Sequence, residues 1–335
     1  MVIAVLAGSV AGIGMGYVLH RGQLCFHAMF AGAWNGRFLL LRGWALAVGV
    51  GAVGLALVYL TPIGEDLSTG LPLRPVANIV GGLLFGCGMA VAQSCVSGLF
   101  YKFGAGMAGA AVGILGWMGG EIAVRDVRLP GPTLLPGGDA GTIPGILGLP
   151  RLVVALLVLA IVAGTLWRWR ARAEQRAPWQ WNWLVLGVGL GIVLVVGWIL
   201  AGIGGVDFGP STVGASAGVV AGDPNWWLVA FLMGIVLGGA VAARQTGAFV
   251  LRGESKVRYL RLLLGGFLLG VGGWIAGGCN LGHGLSGMAQ LNVASILVVI
   301  CMALGVRLAY AVIGRSGAAP RASAEPSGDT SARTG

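Results

Sequence analysis

Runs of about twenty apolar residues recur along this chain, separated by short connectors. A helix needs roughly 20 apolar residues to cross a hydrocarbon core about 30 Å thick. The pattern therefore predicts an all-α polytopic membrane protein with about nine transmembrane helices. The first run has neither the basic leader nor the small-residue cleavage site of a signal peptide, so we interpret it as a retained span. We expect the spans at about 2–20, 39–60, 76–94, 104–122, 151–168, 183–204, 226–243, 260–278 and 290–313.

The basic residues lie mostly in the connectors. The chain has 21 Lys and Arg against 11 Asp and Glu, a net charge of +10 that would suggest a nucleic-acid partner in a soluble protein. In a membrane protein the same excess of basic residues keeps connectors on the cytoplasmic side. We therefore expect the lipid bilayer as a partner and no nucleic acid. The Arg-rich connector 168–176 then predicts a bacterial inner-membrane protein with a periplasmic N-terminus and a cytoplasmic C-terminus. The polar residues 314–335 predict a disordered cytoplasmic tail.

The two halves of the apolar region resemble each other. A shift of 184 residues places Cys95 on Cys279 and Gly98 on Gly282, with six further matches of Gly, Leu and Ala. The predicted topology gives the halves, about 1–122 and 183–313, opposite orientations in the membrane. We therefore expect a single membrane transport domain, 1–313, built as an inverted repeat with its binding site between the repeats.

Three glycine-bordered segments interrupt the apolar pattern. They are HRGQLCFHAMFAG (20–32), AQSCVSGLF (92–100) and GGCNLGHGLSG (277–287), and after each the chain restarts as another helix. Non-helical backbone at membrane depth is tolerated only where it is buried in protein or lines a polar cavity. We therefore expect short re-entrant helices here and take the three breaks as the candidate substrate pathway. The remaining glycines, at spacings of two to four, indicate close helix packing.

Thiols, amides and hydroxyls occupy these breaks, whereas carboxylates are scarce in the predicted spans. Only Glu121 lies within a span, at its end, which argues against a carboxylate relay and against a cation channel with an acidic ring. Polarizable thiols and the N–H groups of restarting helices suit a soft, sulfur-bearing anion. The candidate pathway residues are Cys25, Cys95, Cys279, Gln23, Gln93, Ser94, Asn280, His283 and Lys102, flanked by Ser97 and His27.

Other interpretations of these residues stay open. A cysteine in apolar surroundings is commonly a small hydrophobe, which is the interpretation we adopt for Cys87 and Cys301 in the middle of spans. The three histidines could bind zinc with cysteines, but no tight ligand spacing supports such a site, so we predict no metal and no cofactor. Lys102 either attracts anions or anchors the topology at the inner membrane surface.

The chain resembles the YeeE/YedE family, thiosulfate transporters of the TsuA type, over about residues 5–313. The resemblance rests on RGQLCF with Cys25, GCGMAVAQSCVSG with Cys95 and GGCNLGHGLSG with Cys279. It implies an hourglass-like inverted-repeat fold whose centre is plugged by short helices and loops, and uptake of the thiosulfate ion into the cytoplasm. It also implies that Cys95 meets thiosulfate first, with Cys25 and Cys279 as further stations, and that the ion is relayed by S–H···S hydrogen bonds. A cytoplasmic sulfurtransferase of rhodanese or TusA-like type is the partner that the resemblance implies.

Two departures from the family pattern leave the substrate open among sulfur and selenium species. They are the long Pro/Gly-rich loop 123–150 and the additional Cys87 and Cys301. Two other classes of protein also compete with a thiosulfate transporter. A membrane thiol oxidoreductase would cycle a cysteine pair between dithiol and disulfide, although the sequence has no C-x-x-C pair. The other competing class is a channel or structural subunit for an unrelated small solute. We expect a transporter and not an enzyme.

Overall fold

The computed structural model of the protein describes residues 1–169 and 176–313. Most of the Arg-rich connector and the predicted tail 314–335 lie outside these ranges. The regular secondary structure in the described ranges is helical, apart from isolated β-bridges. The α-helices are Val2–Gly22 (α1), Phe26–Trp34 (α2), Leu39–Val58 (α3), Pro62–Glu65 (α4), Pro75–Ala92 (α5), Val96–Gly104 (α6), Gly109–Ala123 (α7), Ile143–Leu147 (α8), Arg151–Arg168 (α9), Trp183–Ile203 (α10), Ala215–Ala221 (α11), Trp226–Gln245 (α12), Lys256–Ala276 (α13) and Val293–Ile313 (α14).

Eight helical stretches in the described ranges are long and apolar enough to cross a membrane. Two of them, Val2–Trp34 and Pro75–Gly104, join a long helix to a short one across a break. The expected span at 104–122 forms α7, whose 15 residues rise only about 22 Å, less than the thickness of the hydrocarbon core. The prediction of an all-α polytopic membrane protein is confirmed, with eight long spans where about nine were expected.

The helix order repeats at the shift of 184 residues. At this shift α1 corresponds to α10, α3 to α12, α5 to α13 and α7 to α14. The packing follows the same correspondence, because α1 packs on α12 as α10 packs on α3, and α7 packs on α13 as α14 packs on α5. These relationships support the proposal that the two halves are inverted repeats of one transport domain.

Helices α5 and α13 cross through contacts between small residues. A Cβ on Gly81 would lie 2.8 Å from the Cα of Ala276, and a Cβ on Gly265 would lie 2.8 Å from the Cα of Ala92. The two contacts are related by the shift of 184, and they show that the helices run antiparallel. Small residues are typical of such close helix crossings in membranes. The breaks that follow Ala92 and Ala276 therefore start at opposite ends of the crossing.

Glycines at a spacing of four form the seam between α1 and α12. A Cβ on Gly8, Gly12 or Gly16 would collide with a backbone carbonyl oxygen of α12. Replacing any of them by a larger residue would push two membrane helices apart. These glycines have the packing role that their spacing predicts.

Candidate functional site

Helices α1 and α5 end in the same way. Each stops at a glutamine in the left-handed region, Gln23 with φ 51° and Gln93 with φ 49°, a backbone conformation that few residues other than glycine adopt. The N–H of the following residue bonds back to a carbonyl in the last turns of the helix, which closes the helix end. Two residues after each glutamine, Cys25 and Cys95 adopt extended conformations and precede the short helices α2 and α6.

The third break follows the same plan with glycine in place of glutamine. Helix α13 ends at Gly277, whose φ is 76°, and Cys279 follows two residues later. A π-helical segment, Gly282–Gly287, then leads towards α14. The backbone N–H groups of Leu281 and Gly282 point at the Cys279 sulfur, at 3.3 and 3.4 Å. Each of the three predicted breaks thus places one buried cysteine beside restarting helical backbone.

The first two breaks bring their thiols together. The Sγ atoms of Cys25 and Cys95 lie 3.5 Å apart, and both side chains are buried free thiols. This separation suits a thiol hydrogen bond and exceeds the S–S length of about 2.05 Å in a disulfide. The backbone N–H of Cys95 donates to the Cys25 sulfur at 3.3 Å, and the Ser94 hydroxyl lies 4.0 Å from the same sulfur.

A short chain of polar groups connects this thiol pair to the third break. The Cys95 sulfur lies 3.5 Å from the Ser97 hydroxyl, which accepts a 2.8 Å hydrogen bond from the Asn280 amide. Asn280 directly follows Cys279 and is buried. Its Oδ1 has no hydrogen-bond partner within the described part of the chain. Side-chain contacts in the interior therefore join the second and third breaks, which begin at opposite ends of the α5–α13 crossing.

Gly98 allows this close arrangement, a role that sequence reasoning missed. A Cβ at this position would lie 2.7 Å from the Ser94 hydroxyl, 3.1 Å from the Cys25 sulfur and 3.2 Å from the Cys95 sulfur. Even an alanine would therefore crowd the thiol pair. The signal in the sequence that marks this position is the match of Gly98 to Gly282 in the other half.

Two cationic side chains lie at the second break, beside the thiol pair. The Lys102 ammonium donates a 3.2 Å hydrogen bond to the Ser94 hydroxyl. The Arg258 guanidinium donates to the Gln93 side chain at 3.3 Å. Within residues 1–169 and 176–313, Lys102 forms no ion pair with a carboxylate. An unpaired cation so close to buried thiols favours a negatively charged occupant.

Two of the candidate pathway residues make contacts that fix the backbone. The Gln23 amide donates to the carbonyl of His20 in the last turn of its own helix, at 2.8 Å. Both ring nitrogens of His283 are engaged, one with the Ser295 hydroxyl at 2.9 Å and the other with the Ala276 carbonyl at 3.0 Å. Their side chains therefore hold the breaks in shape, and neither has a hydrogen bond to a thiol.

Cys87, Cys301 and His27 make their contacts outside this cluster. Cys87 and Cys301 lie at the α5–α14 contact, where the Cys87 thiol approaches the Gly305 carbonyl at 3.5 Å and the Cys301 side chain faces Gly82. His27 pairs with the hydroxyl of Tyr310. In the described ranges, no three His, Cys, Asp or Glu side chains come close enough together to hold a metal ion.

Sequence comparison extends across all three breaks. A family profile described as sulphur transport matches residues 21–308. The chain belongs to the sulphur transport family. This membership confirms the resemblance to the YeeE/YedE proteins, and the matched region includes all three cysteines of the candidate pathway.

Two relatives of this sulphur transport protein cover nearly its whole length. The thiosulfate transporter TsuA of Spirochaeta thermophila is 31% identical over 89% of this chain and 96% of its own length. The thiosulfate transporter TsuA of Escherichia coli is 26% identical over 90% of this chain and 92% of its own length. The probable transporter YedE of Salmonella typhimurium is 28% identical over 27% of this chain. This sulphur transport protein is thus a multi-pass membrane protein whose relatives are transporters.

Proposed function

We propose that this protein transports thiosulfate across the bacterial inner membrane into the cytoplasm. The observation that carries the proposal is the 3.5 Å approach of the Cys25 and Cys95 sulfurs in the buried polar cluster where the helix breaks meet. The two full-length relatives named as thiosulfate transporters support the choice of substrate. The basic connectors support a periplasmic N-terminus and a cytoplasmic C-terminus.

The chemistry of the cluster suits the substrate. The terminal sulfur of thiosulfate is more weakly hydrated than an oxyanion oxygen, so exchanging its water for thiol and amide donors costs less than the same exchange for sulfate. A net contribution of about 1 kcal/mol per hydrogen bond makes each station weak. Successive weak stations let an ion enter and leave without being trapped. S–H···S hydrogen bonds therefore suffice for the relay, and no covalent bond to the substrate is required.

The proposed roles follow the residues along the cluster. Cys95 meets the ion first and Cys25 and Cys279 are further stations, an order that rests on the family resemblance. Lys102 supplies positive charge, and Gln23 and His283 shape the breaks. The polar neighbours of the thiols are Gln93, Ser94, Ser97 and Asn280.

Growth of bacteria that depend on thiosulfate as sulfur source tests the proposal. Cells that lack their own uptake route should grow with the wild-type protein and fail with Cys95→Ala or Cys279→Ala. The matched control is Cys301→Ala, which removes a buried thiol outside the cluster. Wild-type growth with both pathway variants would contradict the thiol relay. Competition by sulfite, sulfate and selenium oxyanions decides between thiosulfate and other sulfur or selenium species.

The 3.5 Å thiol pair also favours a second candidate, a membrane thiol oxidoreductase. In that case Cys25 and Cys95 would form a disulfide that turns over with an electron acceptor. Alkylation of free thiols followed by mass spectrometry, before and after thiosulfate uptake, separates the two candidates. A hydrogen-bond relay leaves both cysteines reduced, whereas an oxidoreductase accumulates the disulfide when its reductant is withheld.

We further propose that a cytoplasmic sulfurtransferase of rhodanese or TusA-like type receives the transported thiosulfate. Family resemblance alone supports this partner. Co-purification of such an enzyme with the wild-type protein from membranes supplied with thiosulfate would support it, and uptake that is unchanged in cells lacking these enzymes would contradict it.

A further inference from the structure

Glu121, near the end of α7, is the one buried carboxylate in the described ranges, and the proposed relay does not use it. Its side chain is 0% exposed. Oε1 accepts a 2.6 Å hydrogen bond from the backbone N–H of Gly214. Oε2 makes no well-formed hydrogen bond with the described residues, although the Ser216 hydroxyl and the Ala217 backbone N–H lie beside the carboxylate. A buried carboxylate oxygen without a partner is costly when charged, and it is available to take up a proton.

A short strap, residues 210–214, connects Glu121 to the third break. At one end of the strap, the Ser286 hydroxyl donates to the Pro210 carbonyl at 3.1 Å. The Ser211 hydroxyl lies 3.2 Å from the position that a Cβ on Gly282 would occupy. Gly282 in turn donates its N–H to the Cys279 sulfur. The other end of the strap is the Gly214 N–H that bonds to Glu121, so the strap links the carboxylate to the Cys279 station.

We infer that Glu121 is a proton-binding site that couples proton entry to the movement of the anion past Cys279. The inference rests on the proposed function. An anion that enters a cytoplasm at negative potential moves against the electrical force on it, and a proton carried with it offsets part of that charge. Ionised Glu121 holds Gly214 through a charge-assisted hydrogen bond, which weakens when Glu121 is protonated. Protonation thus loosens the strap over Cys279.

Among the described residues of the elements packed on α7, no charged side chain lies beside Glu121. The elements packed on α7 are α6, α11 and α13. Helix α11 has no ionisable residue. The ionisable residues of α6 and α13 lie near the other end of α7, and they are Tyr101, Lys102, Lys256, Arg258, Tyr259 and Arg261. From α13 it is Gly270 that lies against Glu121. Beyond the end of α7, Arg125 pairs with Asp126 on the exposed surface.

Uptake into proteoliposomes under an imposed pH gradient tests the inference. The full-length protein is reconstituted, the membrane potential is clamped with valinomycin and equal potassium, and entry of radiolabelled thiosulfate is measured with and without an acidic outside. We expect the gradient to raise the wild-type rate severalfold and to have no effect on Glu121→Gln, whose amide oxygen still accepts from Gly214. The matched control is Glu65→Gln, which neutralises an exposed glutamate and should respond like the wild type.

A second measurement, on the wild type alone, tests proton coupling even if Glu121→Gln assembles poorly. A pH-sensitive dye inside the vesicles should report acidification when thiosulfate is added outside. The inference is overturned if the wild type ignores the gradient and moves no protons, or if Glu121→Gln responds as the wild type does. If the wild type carries no thiosulfate under any condition, the proposed function fails and this inference fails with it. Thiosulfate uptake that ignores the gradient leaves the proposed function intact.

Discussion

The sulfur atoms of Cys25 and Cys95 lie 3.5 Å apart although 70 residues separate them in the sequence. Two helix breaks of identical form, each closed by a left-handed glutamine, bring them together. Because the pair is buried and reduced, its spacing is set by the packing of α6 against the first break. The glycine in the first turn of α6 is the residue that permits this packing.

Replacing Gly98 by alanine should impair transport while leaving the protein assembled. The new Cβ would lie 3.1 and 3.2 Å from the two sulfurs, so the pair must separate. We expect roughly tenfold slower thiosulfate uptake, which corresponds to about 1.4 kcal/mol. The matched control is Gly119→Ala on α7, where no atom lies within 4 Å of the added Cβ. Equal rates for the two variants would show that the thiol spacing does not matter.

The helix breaks could be predicted from the sequence because their signal is local. Polar residues and glycine interrupt an apolar run, and a cysteine stands beside each interruption. The left-handed conformation of Gln23 and Gln93 could not be predicted, since glutamine is an uncommon residue at such helix ends. The tertiary packing that stabilises these two residues is not visible in a single sequence.

The roles of individual side chains depended on which distant residues they meet. The ring nitrogens of His283, a predicted pathway residue, bond to Ala276 of α13 and Ser295 of α14, the two helices that flank the third break. The thiol contact of Cys25 with Cys95 arises where α6 packs against the first break, and the link from Asn280 to Ser97 joins the third break to the second. The sequence predicts helix α7 as a span, but the helix has only 15 residues and packs on α13 through Gly116 and Gly120.

Lys102 should govern the affinity for the anion. Its ammonium bonds to Ser94 beside the thiol pair, so Lys102→Met removes the charge and keeps most of the side-chain volume. We expect the KM for thiosulfate to rise roughly tenfold, equivalent to about 1.4 kcal/mol of lost attraction, with partial rescue by Lys102→Arg. Kinetics of uptake measure this change. The control is Lys256→Met, at the exposed start of α13, and an equal rise in its KM would assign the effect to overall charge.

A negative charge at Asn280 should block transport without unfolding the protein. In Asn280→Asp a carboxylate can still accept from the Ser97 hydroxyl, but it repels an approaching dianion. We expect uptake close to background, and a melting temperature below that of the wild type because a buried carboxylate costs stability, with the variant still assembled in the membrane. Asn225→Asp is the control, because Asn225 caps α12 and aspartate caps helices equally well. Normal uptake by Asn280→Asp would exclude this position from the pathway.

The seam between α1 and α12 should be sensitive to a single methyl group. In Gly12→Ala the Cβ would meet the Phe231 carbonyl group and lie 2.9 Å from the Cα of Gly234. We expect a loss of about 1–3 kcal/mol in stability, as for other overpacked sites. Thermal unfolding in detergent measures it against Gly14→Ala, whose nearest contact is a Val193 side-chain atom at 3.6 Å. Equal melting temperatures would contradict the close approach of these helices.

The thiol relay is best tested by the initial rate of radiolabelled thiosulfate uptake by proteoliposomes that contain single cysteine-to-alanine variants. We expect a large loss of rate for Cys25→Ala, Cys95→Ala and Cys279→Ala, and near wild-type rates for Cys87→Ala and Cys301→Ala. We also expect excess sulfate to compete weakly. If the three pathway variants transport thiosulfate as fast as the two control variants do, the thiols do not carry the ion and the central claim is wrong.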